Sequence, residues 1–252
     1  MAELNMFELL YDNAKENNSE VVVAYNKTHT REELSFIKMG ATGRKNRTMI
    51  LDTPEKKAEF LEQDINGAAW NKLYNREWML KNKIAFTEHS NYEDIVFSVI
   101  VKASVKKVSW TENYVYHHID REDSESMSTA NWKRKVDYII NTQRAIEELK
   151  ERNLFDEFYD HYAKSYFVSY LSFFRSFMNM YTYMPVDIWN SINNTVRIQF
   201  PDYQKIPLVE MILNDESHPD LTGILYGLSG KVSDAYIEEI GKMVREEAAK
   251  CQ

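Results

Sequence analysis

Ten of the eleven Phe and Tyr residues from Phe155 to Tyr181 constrain this chain more than any other feature: Phe155, Phe158, Tyr159, Tyr162, Tyr166, Tyr170, Phe173, Phe174, Phe177 and Tyr181 recur at spacings of three and four. That period is helical, and a helix with so large an apolar stripe must be covered by other helices. The stripe therefore reads as core rather than as a ligand box. Asp156, Glu157 and Asp160 argue against an anionic membrane surface. The surrounding sequence supplies the cover. Trp132, Val136, Ile139, Ile140, Gln143, Ile146 and Leu149 form a second helical stripe stopped near Asn153, and further helices are expected around 185–196, 207–214, 221–228 and 232–249. From Thr129 onward the chain is predicted to be all helix.

Before Thr129 the pattern is mixed. Met6, Phe7, Leu9, Leu10 and Ala14 mark a helix ended by Asn17-Asn18, and Val21-Val22-Val23 follows as a buried strand. Residues 26–53 are polar, with Gly40, Gly43 and the cluster Arg44, Lys45, Arg47, which fits an insert loop or a short hairpin. A helix is expected from Pro54 to Asp64, with proline near its start. Gly67-Ala68-Ala69 allows close packing before Trp70. Val108-Ser109-Trp110 and Tyr114-Val115-Tyr116 read as two short strands separated by Glu112-Asn113. The strands are too few for a complete doubly wound sheet.

Composition excludes several functions. Seven glycines and five prolines in 252 residues disfavour repeats and turn-rich all-β folds. A net charge of −8 disfavours nonspecific nucleic-acid binding, which needs a basic surface. The one cysteine, Cys251, suits a reducing compartment, which leaves the sequons at Asn26, Asn46 and Asn193 idle. No run approaches 18 apolar residues, so no membrane span is expected. Gly227-Leu228-Ser229-Gly230-Lys231 lacks the spacing of a phosphate-binding loop and reads as a junction between helices.

The chemistry centres on Asn91-Tyr92-Glu93-Asp94, which opens the apolar run Ile95, Val96, Phe97, Val99, Ile100, Val101. Two acids at a helix start are favoured by unpaired N–H groups and the helix dipole, with Asn91 as the cap. The same position suits a general base at the mouth of a cleft. Both readings follow from the local pattern.

The wider window, WNKLYNREWMLKNKIAF from Trp70, NYEDIVFSVIVKASVKKVSW from Asn91 and ENYVYHHIDREDSESMS from Glu112, resembles the second half of the catalytic domain of family 2 glycosyltransferases of the GT-A type. The opening NMFELLYDNAKENNSEVVVAY resembles the helix and strand that follow the metal-binding D-x-D motif in that family, so the likeness runs from about Leu4 to Ser128. It implies an α/β fold: a partial GT-A, Rossmann-like sheet layer over residues 1–128, holding the acceptor side, followed by an all-helical bundle over 129–252. Transfer of a sugar from a nucleotide-sugar donor to a glycan or lipid-linked acceptor in bacterial cell-surface polysaccharide synthesis is implied with it. So is a donor-binding βαβ half with D-x-D, roughly a hundred residues, missing ahead of Met1. The alternative is a noncatalytic interaction module, a remnant whose acidic pair is structural.

By the family pattern Asp94 is the catalytic base, with Glu93 supporting the acceptor side, and Asp94 is expected beside His118 or Trp70. Trp70 and Lys72 would contact substrate, or Trp70 would merely pack. Arg121, in the Asp120–Ser128 loop, would close over the diphosphate or stay solvated. His118, with His117 beside it, would meet the diphosphate or a metal. Adjacent residues on a strand face opposite ways, so at most one of the two histidines can line the cleft. The resemblance implies Mn²⁺ or Mg²⁺ in the complete enzyme and none held by this chain alone. A cytoplasmic protein, peripheral at the inner membrane face, is expected with the reducing compartment, and the aromatic helices are expected to pack partly on the α/β half and to be partly available to a second copy of the chain, since an incomplete sheet leaves apolar surface to cover.

Overall fold

The computed structural model describes residues 1–29, 45–63, 68–119, 132–181, 183–215 and 217–250. The chain divides into two compact units, one of residues 1–88 with 97–128, the other of residues 89–96 with 129–252.

In the first unit, helix α1 (Met6–Asn17) ends at Asn18, whose φ of 48° is the left-handed conformation that asparagine tolerates and that turns the chain into the sheet. Strand β1 (Val21–His29) outlasts the expected apolar run. Strand β2 (Arg47–Ile50) forms part of the region read as an insert or hairpin; residues 30–44, with Gly40, Gly43 and Arg44, lie outside the described residues. Helix α2 (Pro54–Glu62) starts on Thr53, whose hydroxyl accepts from the Lys56 N–H, with Pro54 in the first turn. Strand β3 (Lys72–Tyr74) leads into helix α3 (Arg76–Lys81), capped by the Asn75 side chain, which accepts from the Trp78 N–H at 3.0 Å. Helix α4 (Asp94–Ser104) ends where the buried Lys57 ammonium donates to the carbonyls of Lys102 and Val105, both at 2.7 Å, placing a cation on the negative end of the helix.

Strand β4 (Lys107–Ile119) is one continuous strand, not two short ones. The polar pair Glu112-Asn113 falls where its register against β1 shifts, and the interruption is satisfied locally: the Glu112 N–H donates to Asn46 Oδ1 (2.7 Å) and the Asn113 N–H to Thr111 Oγ1 (3.3 Å). The sheet order is β2-β4-β1-β3, with β1 and β4 parallel and β2 and β3 antiparallel to their neighbours. Met6 and Leu10 of α1 pack on Val22, Ala24 and Val115.

The second unit is helical throughout its described part: α5 (Trp132–Glu151), α6 (Tyr159–Met180), α7 (Val186–Gln199), α8 (Pro207–Leu213), α9 (Pro219–Tyr226) and α10 (Asp234–Lys250). Asn153, at φ 55°, ends α5, and the Leu154 N–H returns to the Leu149 carbonyl at 2.8 Å. The aromatic run is not one helix from its first residue: a 3-10 turn, Asp156–Phe158, precedes α6. Seven of its ten rings are buried, which makes the stripe core as expected. The Tyr170 hydroxyl donates to Asn193 Oδ1 and Asn193 donates to the Gly227 carbonyl, both at 2.8 Å, which pairs the polar edge of the core at this ring. Residues 227–231 join a 3-10 turn to the approach of α10, a helix junction as read. Among the described residues no helix is long and apolar enough to cross a membrane.

Candidate active site

In the first unit the candidate residues gather at the carboxyl ends of the parallel strands β1 and β4, the end at which open α/β sheets bind ligands. Lys27 lies opposite His117 and Thr28 opposite His118. As the two-residue period requires, the adjacent histidines part company. The His118 ring is stacked on the Trp70 indole with centroids 5.5 Å apart and planes 9° apart; Tyr116, two residues earlier on the same face, lies against the other part of Trp70 at 4.3 Å. His118 is exposed and Trp70 half-buried, so the stack presents an edge to solvent. His117 turns the other way. Its Nδ1 is 3.1 Å from Nε2 of His29, which is 2% exposed, and its Nε2 is 2.7 Å from Glu3 Oε1. With the Glu3 carboxylate accepting from His117 Nε2–H, Nδ1 accepts from His29 Nε2–H, a tautomer assignment that makes both contacts of the His117 ring hydrogen bonds. His117 is thereby turned into the fold and is the less available of the two.

Trp70-Asn71-Lys72 is held by Asn71, whose side chain and carbonyl both pair with the backbone of Ala24. Lys72 donates to the Ala68 carbonyl and to Asn71 Oδ1 (2.9 Å). It also borders a cavity of about 20 Å³ lined by Val21, Tyr74, Ser98 and Lys102. That volume holds about one water and no sugar. The cavity is packing space, and the stack is the part of this cluster that reaches solvent.

In the second unit Asp94 is the first residue of α4 and half-buried, and Glu93 is exposed just ahead of it. The acidic helix start is as read, but Asn91 is not its cap. The Asn91 side chain donates to Asp137 Oδ2 on α5 at 2.6 Å, and its backbone N–H reaches the same oxygen at 3.3 Å. Asn141 donates to Ser90 Oγ (2.8 Å) and to the Asn91 carbonyl (2.6 Å). A partner 46 residues away in sequence draws the amide off the helix end. Between these anchors His89 and Tyr92 adopt φ of 54° and 58°, a strained choice for a bulky tyrosine. The Tyr92 ring meets Tyr138 edge to face at 5.5 Å.

Asp94 and Glu93 thus belong to one unit and Trp70, Lys72, His117 and His118 to the other. Arg121 and its loop lie outside the described residues. Among the described residues no group of three or more His, Cys, Asp or Glu side chains is placed to hold a metal, and the Glu3-His117-His29 chain uses its donors on one another. Sequence reasoning missed Glu3, His29, Asp137 and Asn141, whose partners are remote in sequence. Tyr116 could have been found from its two-residue spacing to His118.

No family model matches the chain. The cholesterol galactosyltransferase of Borreliella burgdorferi is 31% identical over 188 residues, 71% of this chain and 50% of that protein. A crystal structure of S. aureus TarS residues 1–349 in complex with UDP-GlcNAc covers 98% of this chain and 64% of its own at a TM-score of 0.56 and 14% identity. A second TarS 1–349 structure gives a TM-score of 0.54 at 15% identity, covering 98% of this chain and 63% of its own. The first match is homology to a glycosyltransferase, and the other two share the fold, mixed α/β with a small sheet and a mostly helical remainder. The chain spans about half the length of the curated relative.

Proposed function

We propose that these residues form the acceptor side of an inverting glycosyltransferase of the GT-A, family 2 type. The observation that carries the proposal is the 31% identity to the Borreliella galactosyltransferase. The acidic start of α4 supplies it with a base. Asp94 takes the proton from the acceptor hydroxyl, the freed oxygen attacks the anomeric carbon, and the nucleoside diphosphate leaves from the opposite face. Glu93 orients the acceptor. The Trp70 face, stacked with His118, offers an apolar platform for a sugar ring or a fused-ring lipid, and His118 with Arg121 offsets charge on the leaving diphosphate. A divalent metal, when bound, would neutralise that diphosphate. The described residues do not form its site, so no step above passes through it.

The acceptor class is a glycan or lipid-linked molecule of the bacterial cell surface, reached by a protein lying peripherally on the inner membrane face; association of two copies belongs to the same proposal. Incubation of the transferase carrying these residues with a panel of nucleotide sugars and sterol, lipid-linked and glycan acceptors, followed by mass detection of glycosylated product, tests it. Product with any pair supports the reading, and none across the panel opposes it.

A further inference from the structure

On α5, Asp137 and Asn141 are four residues apart and so lie on one helix face. Both reach the turn immediately ahead of Asp94. Asp137 takes two hydrogen bonds from Asn91, side chain and backbone, on a single carboxylate oxygen, while Asn141 donates two, to Ser90 Oγ and the Asn91 carbonyl. Asn141 is fully buried, so its two donated bonds to the turn are shielded from solvent. The turn these four bonds hold carries positive φ at His89 and Tyr92, and strain of that kind persists only where surrounding contacts over-determine it. Two residues after the anchored Asn91 comes Glu93, and three after it comes Asp94. Relaxation of Tyr92 to an ordinary φ would swing the first turn of α4 and redirect both acids.

We propose that Asp137 and Asn141 are positioning residues: they lock the strained Ser90–Tyr92 turn and thereby aim the Asp94 carboxylate at the acceptor hydroxyl. The inference rests on the assignment of Asp94 as base. Neither residue touches substrate, so their loss is felt in turnover rather than in binding. A misplacement of about 1 Å at a reacting group costs on the order of 100-fold in rate.

The test compares Asp137→Ala, Asp137→Asn and Asn91→Ala with Asp94→Asn in the transferase carrying these residues, reading kcat, acceptor KM and amide hydrogen exchange at Asn91 and Tyr92. Asp137→Ala and Asn91→Ala are each expected to speed exchange and to lower kcat by about 30- to 100-fold with KM within about twofold. The double variant should be no worse than Asp137→Ala alone, because that variant removes both bonds and Asn91→Ala removes only the side-chain one. Asp137→Asn keeps an acceptor oxygen and should restore kcat to within about threefold of wild type. Unchanged kcat in Asp137→Ala and Asn91→Ala alongside an inactive Asp94→Asn overturns the positioning role and leaves the base assignment standing. An active Asp94→Asn removes the base assignment itself. If Asp137→Ala does not fold, Asn91→Ala decides. Amide exchange at positions 91 and 92 that is unaltered in both Asp137→Ala and Asn91→Ala overturns the proposal whatever the turnover.

Discussion

Trp70 and His118 lie face to face, 5.5 Å between ring centroids and 9° between planes, although 48 positions separate them in sequence. An aromatic pair of this kind contributes about 0.5–1.5 kcal/mol beyond area burial. Trp70→Ala removes both the platform and the support of the imidazole. It is expected to raise acceptor KM by about tenfold, equivalent to about 1.4 kcal/mol, with Trp70→Phe intermediate. Steady-state kinetics with varied acceptor checks this; an unchanged KM would assign Trp70 to packing alone.

Phe174 is fully buried and Phe173 nearly so, each against other rings of the stripe. Truncation to alanine at either should cost about 3–5 kcal/mol, measured by urea unfolding. A near-neutral result at both would place the stripe outside the core.

Burial pushes the Tyr162, Tyr166 and Tyr170 hydroxyls well above their ordinary pKa of 10. The native state therefore keeps these protons above pH 10, where the unfolded chain loses them, so stability is fully present below about pH 10 and falls as pH rises beyond it. Thermal melts from pH 8 to 11.5 should show that fall, less steep in Tyr166→Phe. Ionisation of these three should coincide with unfolding, read as the part of the tyrosinate absorbance lost when all three are replaced by phenylalanine; its appearance in the folded protein at pH 10 would contradict it.

Much of the architecture was legible because it is written locally. The start of α4 at Asp94 follows from an apolar run behind two acids, and the parting of His117 and His118 follows from the two-residue period of a strand. The aromatic stripe foretold the helical core. What escaped depends on partners remote in sequence. Asn91 has the chemistry of a cap, but Asp137 on α5 claims its amide, and Glu112-Asn113 has the composition of a break, but Asn46 and Thr111 satisfy the backbone there and β4 runs on. His29 and Glu3 carry no local signal at all, since their link is His117.

The central claim is that Asp94 deprotonates the acceptor. Its most direct measurement is kcat and donor Kd for Asp94→Asn against wild type in the transferase carrying this chain. A general base contributes about 10²- to 10⁴-fold, so kcat is expected to fall by at least 100-fold with donor Kd within about twofold. A kcat within threefold of wild type, or a donor affinity lost in step with turnover, would contradict the assignment.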